Sequence, residues 1–482
     1  HNTKRKLPCI LCFVDLLMQT LYRQTRNNFI ISNGLFFLLL ACFIIIYESH
    51  TSLITFGYIV TIGLLFSFTI RLKFNIFFLL TFSVSFILAY YQYKYNLEYF
   101  PSSLGFMVND IGHGADDASY LQGMKLYLLY GGDTQKLYLE TGYVIRSFSS
   151  LAAIILSPLQ LFKEISHLDA LVLNCLWHTI GVIVVMNIAD SLSNGSRKSV
   201  FFAFIAYLFC GFLLLDGLSF MREGVIAMSV GLVIFSIIKK NYIIFFGAIA
   251  LIGWMRMGAA LSILLSLFVA FMATRQEIKF YAYSLYRYIK KNIYISIFVL
   301  IILLPVIIQY LLSKEILLDI FFRGSFLNEF TREATSASSV SFLVTEPTYI
   351  RTPLLFLYYL FAPFINISFF GSMTPYNVFN AMHAVWSVAM IPLFVNAVII
   401  IKRTKKVVFN QNYEIIKFLI IFFVINIFMI SVYSLQLRHK DMLIPVIVII
   451  CSYSFAKFGY LGSRLALSIA SGFVFISFLR YL

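Results

Sequence analysis

The 482-residue chain is 61% hydrophobic and only 12% charged, with a mean hydropathy of +0.89 and a formal net charge of +16. Soluble domains carry about 25% charged residues, and repeated apolar runs of roughly 18 to 22 residues, the thickness of a bilayer core, would aggregate in water. A soluble protein is therefore excluded, and the positive balance is read through the loops that carry it and the anionic lipid they meet, not as a nucleic-acid surface.

The chain opens with Lys4, Arg5 and Lys6, and a short apolar stretch from Pro8 to Met18 that holds Asp15 and runs into Arg23 and Arg26. Residues 1–27 read as an amphipathic segment on the cytoplasmic surface, not a cleavable signal peptide. Cys9 and Cys12 form a CxxC with no second pair, which gives no metal or redox site. Spans are expected at Phe29–Tyr47, Ser52–Ile70 and Asn75–Tyr93, with Arg71 and Lys73 marking a return to the cytoplasmic side. The third span delivers a first large outer loop, 94–143, which holds Asp110, Asp116, Asp117, Asp133, Glu140 and a helix from Ala118 to Tyr130.

Further apolar segments lie at Val144–Phe162, Leu168–Ala189, Val200–Phe220 and Gly224–Ile238. Tyr242–Met272 is interrupted by Trp254-Met255-Arg256-Met257 and has basic flanks, so it reads as a tight hairpin with Arg256 at its outer turn. Ile293–Leu312 precedes a second outer loop, 313–352, with Glu333 and Arg351 among its charges, and is followed by Leu354–Gly371, His383–Ile401, Ile415–Tyr433, Met442–Phe455 and Ala466–Phe478. The inside markers are Arg197/Lys198, Lys239/Lys240, the run from Arg275 to Lys291 and the cluster from Lys402 to Lys406. Counting every segment as a crossing puts Arg197 and Lys198 outside, against the charge bias. Val144–Phe162, with Pro158, and Leu354–Gly371, with Pro363, are therefore expected to be re-entrant or interfacial, where irregular backbone lines a cavity. The fold expected is all-α: a single polytopic transmembrane domain over 1–482, with about 12 to 14 spans and long outer loops containing short helices.

In this topology the charges that are not cytoplasmic converge on the outer face: Asp110, Asp116 and Asp117, then Arg222 and Glu223, Arg256, and Arg438, His439, Lys440 and Asp441. A charge near the membrane centre costs about 2.5 to 3.5 kcal/mol on insertion scales, so such groups face one another or a polar cavity. Carboxylates beside fixed cations suit glycosyl transfer from a lipid-linked sugar pyrophosphate. A carboxylate takes the proton of the attacking hydroxyl, and arginines hold the departing pyrophosphate. Plainer readings stand beside this one: Asp116 and Asp117 also suit a helix N-cap, Arg438 to Asp441 an interfacial turn, and His113 an ordinary loop. His178 and His383, at span positions, read as packing groups, since no HxH or HExxH spacing supports a metal. The Asn194-Gly195-Ser196 sequon falls on the cytoplasmic side and is discounted.

Two short stretches carry a resemblance: Asp116-Asp117-Ala118-Ser119-Tyr120-Leu121 and Phe220-Met221-Arg222-Glu223-Gly224-Val225-Ile226-Ala227. With the span pattern, they resemble bacterial O-antigen and exopolysaccharide polymerases of the Wzy and EpsG type, within the GT-C-like glycosyltransferases. A departure is Arg256, where EpsG-like proteins often carry a histidine. The resemblance implies joining of undecaprenyl-pyrophosphate-linked repeat units at the outer face of a bacterial inner membrane, with acid/base work on Asp116 or Asp117 and phosphate binding at Arg222. Topology alone adds Asp110 to the carboxylates, and Glu223, Arg256, Arg438, His439 and Lys440 to the phosphate- and sugar-binding set. No metal site and no cofactor are expected, with a divalent cation left open. The partners expected are the polyprenyl-linked oligosaccharide, membrane lipid and a chain-length regulator, with no nucleic acid. Two alternatives remain: a GT-C transferase adding one sugar from a polyprenyl-phosphate donor, and a lipid-linked oligosaccharide flippase or transporter.

Overall fold

A computed structural model describes residues 39–45, 53–73, 75–99, 116–274, 352–356, 359, 374–403, 411–433 and 437–458, with isolated positions between 283 and 291. Asp110, His113, the CxxC and nearly all of the second outer loop lie outside the described residues. The described chain is helical, with no strand, and is that of an all-α polytopic membrane protein.

The helices are α1 (Leu53–Thr69), α2 (Asn75–Tyr99), α3 (Asp116–Leu129), α4 (Thr134–Thr141) and α5 (Ser147–Leu156, continued by a 3-10 turn Ser157–Leu161). Next come α6 (His167–Leu192), α7 (Arg197–Leu208), α8 (Gly211–Leu218), α9 (Glu223–Lys239), α10 (Tyr242–Met255) and α11 (Met257–Ala273). The last are α12 (Pro375–Arg403), α13 (Gln411–Tyr433), a 3-10 helix Leu437–Leu443, and α14 (Ile444–Phe458). Among them, α6 and the stretches Pro375–Ile399, Asn412–Ser431 and His439–Lys457 are long and apolar enough to cross a bilayer, and α7 with α8 makes a fifth span if the bent pair is taken as one. The spans expected at 29–47, 293–312, 354–371 and 466–478 lie wholly or largely outside the described residues.

Helix α6 is the mast of the bundle. It is apolar on every side, as a helix enclosed by others must be, and its membrane-length window is wholly buried. Its start is fixed by a capping box: Ser166 Oγ accepts from Asp169 N, and Asp169 accepts from Ser166 N at 2.7 Å. Lys163 Nζ also pairs with the fully buried Asp169 at 2.9 Å. Removing one member of a buried pair leaves the other uncompensated; Lys163 keeps some solvent access, so the cost falls at the low end. Asp169→Ala should lower stability by about 3 kcal/mol, read as an earlier melting transition of the detergent-solubilised protein.

The two ends of the bundle differ in chemistry. At one end Lys73 Nζ pairs with Asp190 at 2.9 Å, Lys73 N donates to Asn187 Oδ1, and Asn412 Nδ2 donates to Leu192 O. Arg71, Arg197, Lys198, Lys239 and Lys240 gather at this basic end, because α9 runs alongside α6 in the same direction, with Gly231 against Val184. At the opposite end Tyr93 meets His167 edge-on at 5.3 Å. The end of α2 and the start of α6 thus lie together at this end of the bundle. Between them α5 stays at that end, with Tyr58 Oη donating to Ile155 O at 2.9 Å and Phe148 against Phe220 at 5.0 Å. Segment 144–162 thus packs at this end, and Arg197 and Lys198 lie with the other basic residues at the opposite one.

The apolar segment expected at Val200–Phe220 is bent: α7 and α8 meet at 52°. Gly211 lets the α12 backbone approach so closely that a Cβ there would lie 2.0 Å from Phe379 O and 2.5 Å from His383 N. The groups freed by the break are taken up from other helices, as buried backbone requires. Trp386 Nε1 donates to Ala206 O at 2.7 Å, and Phe212 N donates to His383 Nδ1 at 3.4 Å. The His383 ring is stacked between Phe212 and Trp386. Its burial answers the needs of the kink.

Candidate functional site

The short connection from α8 to α9 is gathered in by α6. Asn174, buried two turns into α6, donates Nδ2 to Met221 O at 3.1 Å and to Ser219 O, while Ser219 Oγ donates to Asp216 O at 3.1 Å. Gly217 and Gly224 let α8 and α9 touch at backbone level, since a Cβ on Gly224 would lie 3.1 Å from Gly217 O. Asp216 and Glu223, seven positions apart, are both buried at this junction.

Arg256 reaches the same place from the far side. It sits in extended backbone (φ −158°, ψ 99°) between α10 and α11, and a Cβ on Gly253 would meet the Ala260 Cβ at 3.6 Å. Residues seven apart in a straight helix are about 10 Å apart, so the chain doubles back at Arg256. Its Nη2 donates to Glu223 Oε1 at 2.8 Å, and Arg222 Nε lies 4.0 Å from that oxygen. Arg222 Nη1 donates to Met255 O at 3.2 Å, which ties the start of α9 to the end of α10. Among the described residues Glu223 Oε2 has no hydrogen-bond partner.

The third contribution is the 3-10 helix Leu437–Leu443, packed against α8, α9 and α13. Lys440 and Asp441 are buried there, not displayed as an interfacial turn. Asp441 has Lys440, Glu223 and Asp216 as its charged neighbours, with the Asp216 carboxyl within hydrogen-bonding reach. His439 is half-buried. The backbone of Arg438 belongs to this helix, and its side chain lies outside the described residues. Three cations, Arg222, Arg256 and Lys440, thus share one end of the bundle with three carboxyls, Asp216, Glu223 and Asp441.

Asp116 and Asp117 are the first two residues of α3, inside the helix and not at its cap, and their side chains lie outside the described residues. One turn further on, Tyr120 packs edge-on against Phe148 at 5.2 Å, and Phe148 meets Phe220, two residues before Arg222. Arg146 places its guanidinium 5.2 Å over the Tyr120 ring, and Tyr143 Oη donates to Ser119 O at 2.8 Å. An aromatic chain therefore joins the start of α3 to the charge cluster.

The structure brings together Arg222, Glu223, Arg256 and Lys440, residues that are 218 positions apart at the extremes. It also changes one role: Glu223, expected among the groups that bind phosphate or sugar, is the counter-ion of Arg256, and one of its oxygens is already occupied. Asn174, Asp216 and Arg146 belong to no motif. Asp216 had one legible signal, a lone acid in the otherwise apolar run Gly211–Leu218. Among the described residues no three His, Cys, Asp or Glu side chains converge as a metal site. Fixed guanidinium and ammonium groups beside carboxyls in a water-poor setting can hold an anion and accept a proton beside it. No protein-family model, curated protein or solved structure matches the chain.

Proposed function

We propose that this protein is a glycosyltransferase that polymerises undecaprenyl-pyrophosphate-linked oligosaccharide repeat units into O-antigen or exopolysaccharide at the outer face of the bacterial inner membrane. The convergence of Arg222, Arg256 and Lys440 on one end of the bundle, joined through Tyr120 and Phe148 to the helix that Asp116 and Asp117 open, supports this reading above all. The guanidinium groups hold the pyrophosphate and offset the charge it gains as the sugar departs. Asp116 or Asp117 accepts the proton of the attacking hydroxyl. Glu223 serves as the positioning residue that fixes Arg256. Arg71, Lys73, Arg197, Lys198, Lys239 and Lys240 gather at the other end, and positive-inside bias makes that end cytoplasmic.

A second reading, a transporter of lipid-linked oligosaccharide, is favoured by the 52° break between α7 and α8 and the acidic side chain buried beside it, features of helices that line a transport pathway. Purified protein in liposomes, given a lipid-linked repeat unit bearing a fluorescent label, separates the readings. A polymerase yields a ladder of products, a single-sugar transferase one larger product, and a transporter unchanged substrate on the opposite leaflet. Unchanged substrate in active preparations would overturn the proposal.

A further inference from the structure

Asp216 and Asp441 take no part in the Glu223–Arg256 ion pair, yet both are buried, on α8 and on the 3-10 helix 437–443 that packs against it, and their carboxyls face each other. Among the described residues neither oxygen of Asp441 receives a hydrogen bond. Glu223, a charged neighbour of Asp441, also has a buried oxygen, Oε2, without a donor among the described residues. Three acceptor atoms from two elements thus call for a species that supplies positive hydrogen or positive charge, since buried acceptors are ordinarily satisfied.

We propose that Asp216 and Asp441 bind one proton between them, making a proton site where the bent span α7–α8 meets the 3-10 helix 437–443. Two carboxyls in contact cannot both ionise cheaply, and a shared proton turns the contact from repulsion into an O–H···O⁻ hydrogen bond. The remaining charge of the pair is then matched by the single ammonium of Lys440. Glu223 is left to face both Arg256 and Arg222, so these described groups together hold one surplus positive charge for an anionic ligand. Among the described residues, the ionisable groups facing the pair are Glu223 from α9, Lys440 on the 3-10 helix, Tyr207 from the end of α7, Cys210 at the cap of α8, and Tyr376 from α12, which faces Asp216. A metal cation suits the site less well: no three acidic, His or Cys groups converge among the described residues, and the Lys440 ammonium is already a charged neighbour of Asp441.

The test is infrared difference spectroscopy of the full-length protein in lipid, stepped from neutral to alkaline pH. A protonated-carboxyl C=O band should be present at neutral pH and vanish at the alkaline step. It should be lost in both Asp216→Asn and Asp441→Asn, and retained in Asp133→Asn, an exposed acid remote from the pair. Should the Asn variants fail to fold, Asp441→Glu, which keeps the carboxyl, must shift the band frequency. Absence of the band from the wild type, or its survival in both Asn variants, overturns the proposal. So does a sodium-specific rise in melting temperature, measured against choline chloride, that is lost in Asp441→Asn; this outcome would identify a metal cation. The measurement uses no sugar donor, so its failure is independent of the proposed transferase activity.

Discussion

Arg222→Ala should leave the protein folded and inserted while lowering polymer formation by at least about 100-fold, the loss that follows removal of one transition-state donor. Arg222 is the cluster cation that can be removed at least structural cost: its side chain is 28% exposed, its contact with Glu223 is long at 4.0 Å, and Glu223 keeps Arg256 as its close partner. Arg256→Ala makes an instructive contrast. It strips the 2.8 Å partner from Glu223, which is only 3% exposed, and a stranded buried charge costs about 3 to 5 kcal/mol. Arg256→Ala should therefore lower the melting temperature as well as activity. Adding Glu223→Gln should restore much of the stability without restoring polymer. Asp117→Asn should match Arg222→Ala in phenotype, with normal membrane insertion and no ladder of products. Gel separation of lipid-linked products from cells carrying each variant, beside melting curves of the same proteins, checks the set. A normal ladder from both Arg222→Ala and Asp117→Asn would remove the roles assigned to them.

Gly211→Ala should be among the most damaging single substitutions in the described chain, with a loss of about 3 kcal/mol or more. The added methyl would fall 2.0 Å from Phe379 O and 2.5 Å from His383 N, and backbone atoms cannot swing aside as a side chain does. To make room, α8 must separate from α12. That would pull Phe212 N off His383 Nδ1 and displace Asp216, which rides on the same two-turn helix. Gly57→Ala is the matched control: among the described residues nothing lies within 4 Å of its Cβ position in the second turn of α1. It should be neutral or slightly stabilising, because alanine favours a helix by nearly 1 kcal/mol over glycine. Melting curves of the two purified variants read the difference, and equal stability would mean that α8 and α12 are not in the contact described.

Much of the helix pattern was legible because hydropathy sets where helices run. Leu53–Thr69, Asn75–Tyr99, His167–Leu192 and Gln411–Tyr433 overlap closely with the apolar segments expected there, and the chain does reverse at Arg256, the one charge in its apolar run. The kink at Phe209–Cys210 was not legible. It is set by what Gly211, His383 and Trp386 meet across helices, and hydropathy carries no information about helix partners. In the site, Arg222, Glu223, Arg256 and Lys440 stand out as charges between apolar runs. Asp216 and Asn174 do not, because a single polar residue in a span gains meaning only once its neighbours are known. Glu223 was visible as a charge but not as a counter-ion, for the same reason: its partner Arg256 is 33 residues away.

Sidedness of the two bundle ends is the most direct test of the account, and cysteine accessibility in intact cells measures it. In a background with Cys9 and Cys12 replaced, single cysteines at Tyr138 and Arg146 report on the end that carries the charge cluster, and cysteines at Lys73 and Lys240 on the basic end. A membrane-impermeant thiol reagent admitted to the periplasm should label positions 138 and 146 before the inner membrane is opened, and positions 73 and 240 only afterwards. Labelling of all four from the same side, or of 73 and 240 from outside, would contradict an outward-facing site for lipid-linked sugars.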